Sequence, residues 1–160
     1  MTSVALLSRS ACRWTRPAVR RNDVGEARFC APAEAHGVVE HILHAMAQRG
    51  YGEAEILAVR LALDEAAANA IKHGNRANPA KQVRIDFDIS DHRVLLQVED
   101  EGDGFEPDDV PDPTMATNRN TPSGRGVYLM RRFMTWVRFN SLGNRVTMCR
   151  LREAKPAMTS

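Results

Sequence analysis

Leu63-Asp64-Glu65-Ala66-Ala67-Ala68-Asn69-Ala70-Ile71-Lys72-His73-Gly74 is the stretch on which the reading of the fold turns. Glu65 and Asn69 lie four residues apart, so on a helix they project from one face, a turn apart. A helix is expected from about Glu53 to His73, with Glu53 and Glu55 at its positive end, Lys72 and His73 at its negative end and Gly74 as its stop. Its apolar positions (Ile56, Leu57, Val59, Leu61, Leu63, Ala66, Ala67, Ala70 and Ile71) occupy more than one face, which predicts a helix sandwiched in the core. A carboxylate and a carboxamide there can share one job. An Asn69 oxygen can hold a mostly hydrated Mg²⁺ ion while Glu65 orients or deprotonates a nucleophile beside it. The same spacing also suits a solvated helix pair, and alone it does not choose between the two.

Downstream, Asn75 to Lys81 reads as a loop, after which Val83, Ile85, Phe87 and Ile89 alternate with polar neighbours, the pattern of a half-buried strand. Arg93 to Glu99 repeats the alternation after the short Ser90 to His92 connection, so an antiparallel hairpin is expected. It leads into Val98-Glu99-Asp100-Glu101-Gly102-Asp103-Gly104-Phe105. Asp100 at a strand end is a rigidly placed acceptor for an exocyclic amine such as that of a purine, and Gly102 and Gly104 permit close approach. An EF-hand is excluded because Val110 stands where the twelfth position needs a bidentate Glu, and strands flank the segment. An acidic surface turn is the plain alternative. Phe105 to Ser123 is poor in apolar residues and reads as a mobile segment of the length that usually carries function. Ser123-Gly124-Arg125-Gly126-Val127-Tyr128-Leu129-Met130 then opens a helix through glycines. Free N–H groups there, with Arg125 beside them, form a phosphate seat. No Gly-Lys-Ser/Thr follows, so it is not a Walker loop.

Upstream, Glu26 to Cys30 suits a short strand, and Pro32 suits the first turn of a helix. Ala35, Val38, Val39, Ile42, Leu43 and Met46 recur at helical spacing up to Arg49-Gly50. His41 and His44 lie on the opposite face without a third metal ligand. At the other end a helix over Gly124 to Met134 precedes a closing hairpin, Trp136 to Asn140 and Arg145 to Leu151. Strand, two helices, two strands, loop, helix, two strands is the order of an α/β sandwich of the two-layer α+β kind. Its sheet is expected to be mixed but largely antiparallel, with the helices on one face.

The 160 residues suffice for one domain, expected over 23–152, between a basic tail at 1–22 that reads as disordered and a C-terminal tail at 153–160. With 22 basic and 20 acidic residues, the surface is not built to hold nucleic acid. Arg9, Arg13, Arg16, Arg20 and Arg21 precede Asn22 without an acid, leaving 17 basic against 20 acidic residues for the remainder. From Pro113 onward the balance turns basic, and solvation and phosphate screening account for it more simply than an acidic partner. No apolar run is long enough to span a membrane. Cys12, Cys30 and Cys149 are odd in number and widely spaced, which fits a reducing cytoplasm.

Taken in order, the three glycine- and carboxylate-bearing stretches resemble the N, G1 and G2 boxes of the Bergerat-type (GHKL) ATPase and kinase superfamily, over about Val24 to Leu151. Within it, the chain looks like the stand-alone anti-sigma-factor serine/threonine kinases of bacterial partner-switching systems. The resemblance implies ATP and Mg²⁺ as cofactors, with Asn69 as the Mg²⁺-holding residue, Glu65 as general base and Asp100 as the acceptor of the adenine amino group. It implies that Gly102 and Gly104 are the G1 glycines, that Gly124 and Gly126 bind phosphate, and that His73, Phe105, Ser123, Arg125 and Val127 complete the nucleotide site. Phe105 to Ser123 corresponds to the ATP lid. The implied partners are a small anti-sigma-factor antagonist protein, phosphorylated on Ser or Thr, and a sigma factor or similar regulator, with neither nucleic acid nor membrane; a homodimer is left open. Thr135-Trp136 departs from the acidic residues expected there. The alternative function is a nucleotide-gated switch that binds partners without chemistry.

Overall fold

The computed structural model describes residues 23–104 and 125–153. The expected tail at 1–22 with Cys12, the expected tail at 153–160 apart from Glu153, and the segment with Phe105, Ser123 and Gly124 lie outside the described residues. The elements are β1 (Asp23–Phe29), α1 (Pro32–Gln48), α2 (Glu53–Asn69), β2 (Val83–Ile89), β3 (Arg93–Asp100), α3 (Arg125–Phe133), β4 (Trp136–Phe139) and β5 (Arg145–Leu151), with a π-helical turn at Ala70–Gly74. The strands form one five-stranded sheet in the order β1-β2-β3-β5-β4. Among the described residues all four pairings are antiparallel, so the sheet expected to be mixed but largely antiparallel is antiparallel throughout its described strands, within an α+β fold.

Alternation fixes which face is covered. Val83, Ile85, Phe87 and Ile89 of β2, Val94, Leu96 and Val98 of β3, and Val146 and Met148 of β5 are buried with the helix stripes of α1 and α2. Each large apolar side chain so enclosed contributes about 1.5–3 kcal/mol. The other face carries cross-strand ion pairs, among them Arg145–Glu99 and Arg93–Asp88. α1 begins with Pro32 in its first turn, and the Glu34 carboxylate accepts the Cys30 N–H at 2.9 Å. α2 is capped by Gly52, whose N–H donates to Glu55 Oε2 at 2.9 Å.

β1 starts three residues before the strand expected at Glu26, because Asp23 pairs with Ile89 and the whole of β2 is matched. α2 is enclosed along Ala58, Val59, Ala62, Leu63, Ala66 and Ala67, yet Leu57 is 55% exposed, so one edge of this helix stays in water. The final turn, expected as ordinary α-helix through His73, is instead π-helical. Among the described residues, no helix is long and apolar enough to cross a membrane. Among the described residues, Cys30 and Cys149 form no disulfide.

Candidate functional site

α2 sets one wall of the site. Its small-residue stretch lets α3 approach closely, and the crossing falls at Gly126: a β-carbon there would lie 2.7 Å from Glu65 Oε2 and 2.9 Å from the Asn69 carboxamide nitrogen. No larger residue fits without moving both polar side chains. The start of α3 therefore lies directly on the Glu65–Asn69 pair. Glu65 and Asn69 are half-buried, Arg125 and His73 are exposed, and Gly126 and Val127 are buried. Val127 packs in the core, so any part it plays at a ligand runs through its backbone rather than its side chain.

The second wall forms where α2 ends. The π-helical turn closes on Asn75, whose N–H donates to the Ala70 carbonyl at 2.8 Å, five residues back. The turn brings Gly74 against Asp100. A β-carbon on Gly74 would overlap the Asp100 carboxylate, and one on Gly102 would overlap the Gly74 carbonyl. These two glycines are close-approach positions, and Gly104 adds a backbone need, with φ at +82° against the Leu142 carbonyl. Gly74 was legible as a helix stop, but its contact with Asp100 was not.

Asp100 ends β3 with its carboxylate only partly satisfied. Oδ1 accepts the Gly102 N–H at 2.8 Å. Burial pushes its carboxyl above the usual aspartate range, opposed by the Gly102 N–H and by Lys81, with Glu99 adding to the rise. It makes no ion pair among the described residues. An acid of this kind, held in place and short of donors, is an acceptor waiting for an N–H.

Two asparagines outside the sequence-predicted set hold the backbone around it. Asn75, 3% exposed, accepts the Glu101 N–H on Oδ1 and donates from Nδ2 to the Gln82 carbonyl, both at 2.9 Å. Asn144, in the β4–β5 turn, donates from Nδ2 to the Asp100 carbonyl at 3.1 Å, and its own carbonyl accepts the Asp100 N–H at 3.0 Å. Asparagine in a loop is too common for sequence to single these out; Asn75 differs only in following Gly74 directly.

From Glu65 to Gly74 the wall runs nine residues, about 13 Å of helix. One end presents a carboxylate acceptor and the other a carboxylate, a carboxamide and a helix start. The oxygens of Asn69 and Glu65 form a hard donor set that suits a hydrated divalent ion completed by phosphate oxygens. Among the described residues, no group of three or more His, Cys, Asp and Glu forms a closed metal cage.

Residues 30–150 match the family described as histidine kinase-like ATPase domain. The chain is 31% identical over 123 residues to the serine-protein kinase RsbW of Bacillus subtilis (strain 168), covering 72% of this chain and 77% of that protein. It is 29% identical over 126 residues to the RsbW of Bacillus licheniformis, covering 74% and 79%. The anti-sigma F factor of Bacillus velezensis is 32% identical over 99 residues, covering 61% and 68%.

Proposed function

We propose, from the premise that the chain belongs to the histidine kinase-like ATPase domain family, that it is an ATP-dependent serine/threonine protein kinase. Its substrate is a small antagonist protein, and in its free state it holds a sigma factor or similar regulator. The observation that carries the reading is the single wall on which Asp100, backed by Gly74, and the Glu65–Asn69 pair, backed by Gly126, stand at opposite ends. The kinase and anti-sigma names of the relatives support the partner assignments.

In this reading the adenine amino group donates to Asp100, and the phosphates run toward the start of α3, where N–H groups and Arg125 meet negative charge. Asn69, with Glu65 near it, would hold Mg²⁺, which supplies charge neutralisation at the phosphates when bound. Glu65 orients the Ser or Thr hydroxyl and takes its proton as the oxygen bonds to the γ-phosphorus; the bond from the γ-phosphorus to the bridging oxygen breaks, and ADP leaves with that electron pair. Gly124, Phe105 and Ser123 belong to the same proposed nucleotide site, with His73 at its rim.

Glu65→Gln tests the chemistry. Phosphate transfer to a genuine antagonist should fall by about 10²–10⁴-fold while ATP affinity stays within a small factor. Transfer at the natural rate would remove Glu65 as base. Partner binding that depends on ATP and survives that substitution, in a natural chain that transfers no phosphate, would mark the non-catalytic switch instead.

A further inference from the structure

Asn75 is the one residue that counts as buried and polar without charge among the described residues, and both ends of its carboxamide are spent on backbone. One end takes the Glu101 N–H and the other gives to the Gln82 carbonyl. Glu101 follows Asp100 directly, and its carboxylate in turn accepts the Gln82 N–H at 2.6 Å. Asn75 also closes the π-helical turn through its own N–H, so the residue that ends the turn is the residue that grips the strand end facing it. Gly74, the neighbour on one side of that grip, and Gly102, two residues past Asp100, meet at distances that leave no room for a side chain. On the side facing α2, the enclosed Asn75 carboxamide therefore ties the strand end that carries Asp100 to the α2 wall, while Asn144 holds the Asp100 peptide from the β4–β5 turn. Only Asn offers a donor and an acceptor at this reach; Ala would orphan two backbone groups, and Asp would face the Gln82 carbonyl with a second acceptor.

We propose that Asn75 is a positioning residue for base recognition: by fixing the Glu101 peptide it sets Asp100 where a purine 6-amino group can be read. This inference rests on the assignment of Asp100 as the adenine acceptor. It concerns selectivity among bases rather than phosphate transfer, because the held peptide adjoins Asp100 and not Glu65.

The test is calorimetric titration of the full chain with MgATP and with MgITP, whose base carries a carbonyl in place of the amino group. The natural protein should prefer ATP by on the order of tenfold or more. In Asn75→Ala that ratio should collapse toward unity, chiefly through weaker ATP binding, with ITP affinity changed by less than about twofold. Asn75→Asp keeps an oxygen for the Glu101 N–H and should retain more of the ratio than Asn75→Ala. A role in stability alone would weaken both nucleotides alike and leave the ratio where it was, which would overturn the proposal. A natural protein that binds ATP and ITP equally would instead overturn the Asp100 assignment beneath it. Should Asn75→Ala not fold, amide hydrogen exchange on the natural chain decides: ATP should slow exchange at Glu101 more than ITP does, and equal protection by both contradicts the proposal.

Discussion

The sheet has two ends, and the chain fastens them in opposite ways. At the end holding the β2–β3 turn, Arg49 bridges Asp23 and Asp91, at 2.7 and 3.1 Å. Arg152 lies over the Tyr51 ring at 4.7 Å and donates to the Asp91 and Gly50 carbonyls, while Glu55 accepts the Glu153 N–H at 2.8 Å. At the other end charged pairs are present too, Arg145–Glu99 and Arg76–Asp103, but the Asp100 stretch itself is held by amides: Asn75 and Asn144 hold its backbone groups, glycines set the spacing, and Asp100 is left without a guanidinium. A carboxylate paired to arginine is spent on the fold, as with Asp23; one held by amides and close packing is kept for a ligand. The difference separates the structural end of this domain from its binding end.

The largest effect that would break the comparison belongs to Gly74. Gly74→Ala places a β-carbon on the Asp100 carboxylate, and ATP affinity measured by calorimetry should fall by about a hundredfold or more, the loss of a hydrogen bond to a buried charge. Natural affinity in this variant would mean that Asp100 is not the acceptor. At the opposite end, Arg152→Ala should lower stability by about 1–2 kcal/mol through its ring contact and carbonyl bonds, read by urea denaturation, with ATP affinity unchanged. A loss of affinity there would dissolve the distinction between the ends.

How far the sequence reached can be judged from the same residues. Alternation in β2 and β3 and the three- and four-residue stripe of α1 are local signals, and the sheet and helices appear where those periods put them. Glu65, Asn69 and Gly126 meet because four-residue spacing and a glycine are likewise written locally. The π-helical turn was not legible: it ends where Gly74 meets Asp100, a contact between positions 26 apart. The roles of Asn75 and Asn144 depend on where backbone from other elements arrives, which no spacing rule encodes. Val127 was legible as a helix-start residue but not as a core one, since its burial depends on how α3 lies on α2.

Acidity sharpens the comparison further. Burial first, with Glu99 adding to it, raises the Asp100 carboxyl, so in the folded chain it holds a proton at pH values where the unfolded chain has lost its own. Stability from this group is thus present at low pH and lost as pH rises through the folded value. Asp100→Asn should therefore melt higher than the natural protein at neutral pH, and the gain should shrink on acidification. ATP affinity of the natural protein should decline on acidification sooner than for an ordinary aspartate. A melting point lowered at neutral pH would count against an acid kept at the expense of the fold. The smallest effect serves as a control: Gly37, within α1 and with open space around its α-carbon, should tolerate Gly37→Ala with a gain of about 0.5–1 kcal/mol and no change in nucleotide binding.

The measurement that bears most directly on the central claim is calorimetric titration of MgATP into the natural chain and into Asp100→Asn. The account predicts saturable binding to the natural protein and a loss of on the order of tenfold or more in the variant, in a fold at least as stable. Equal binding by both, or none by the natural protein, would contradict it.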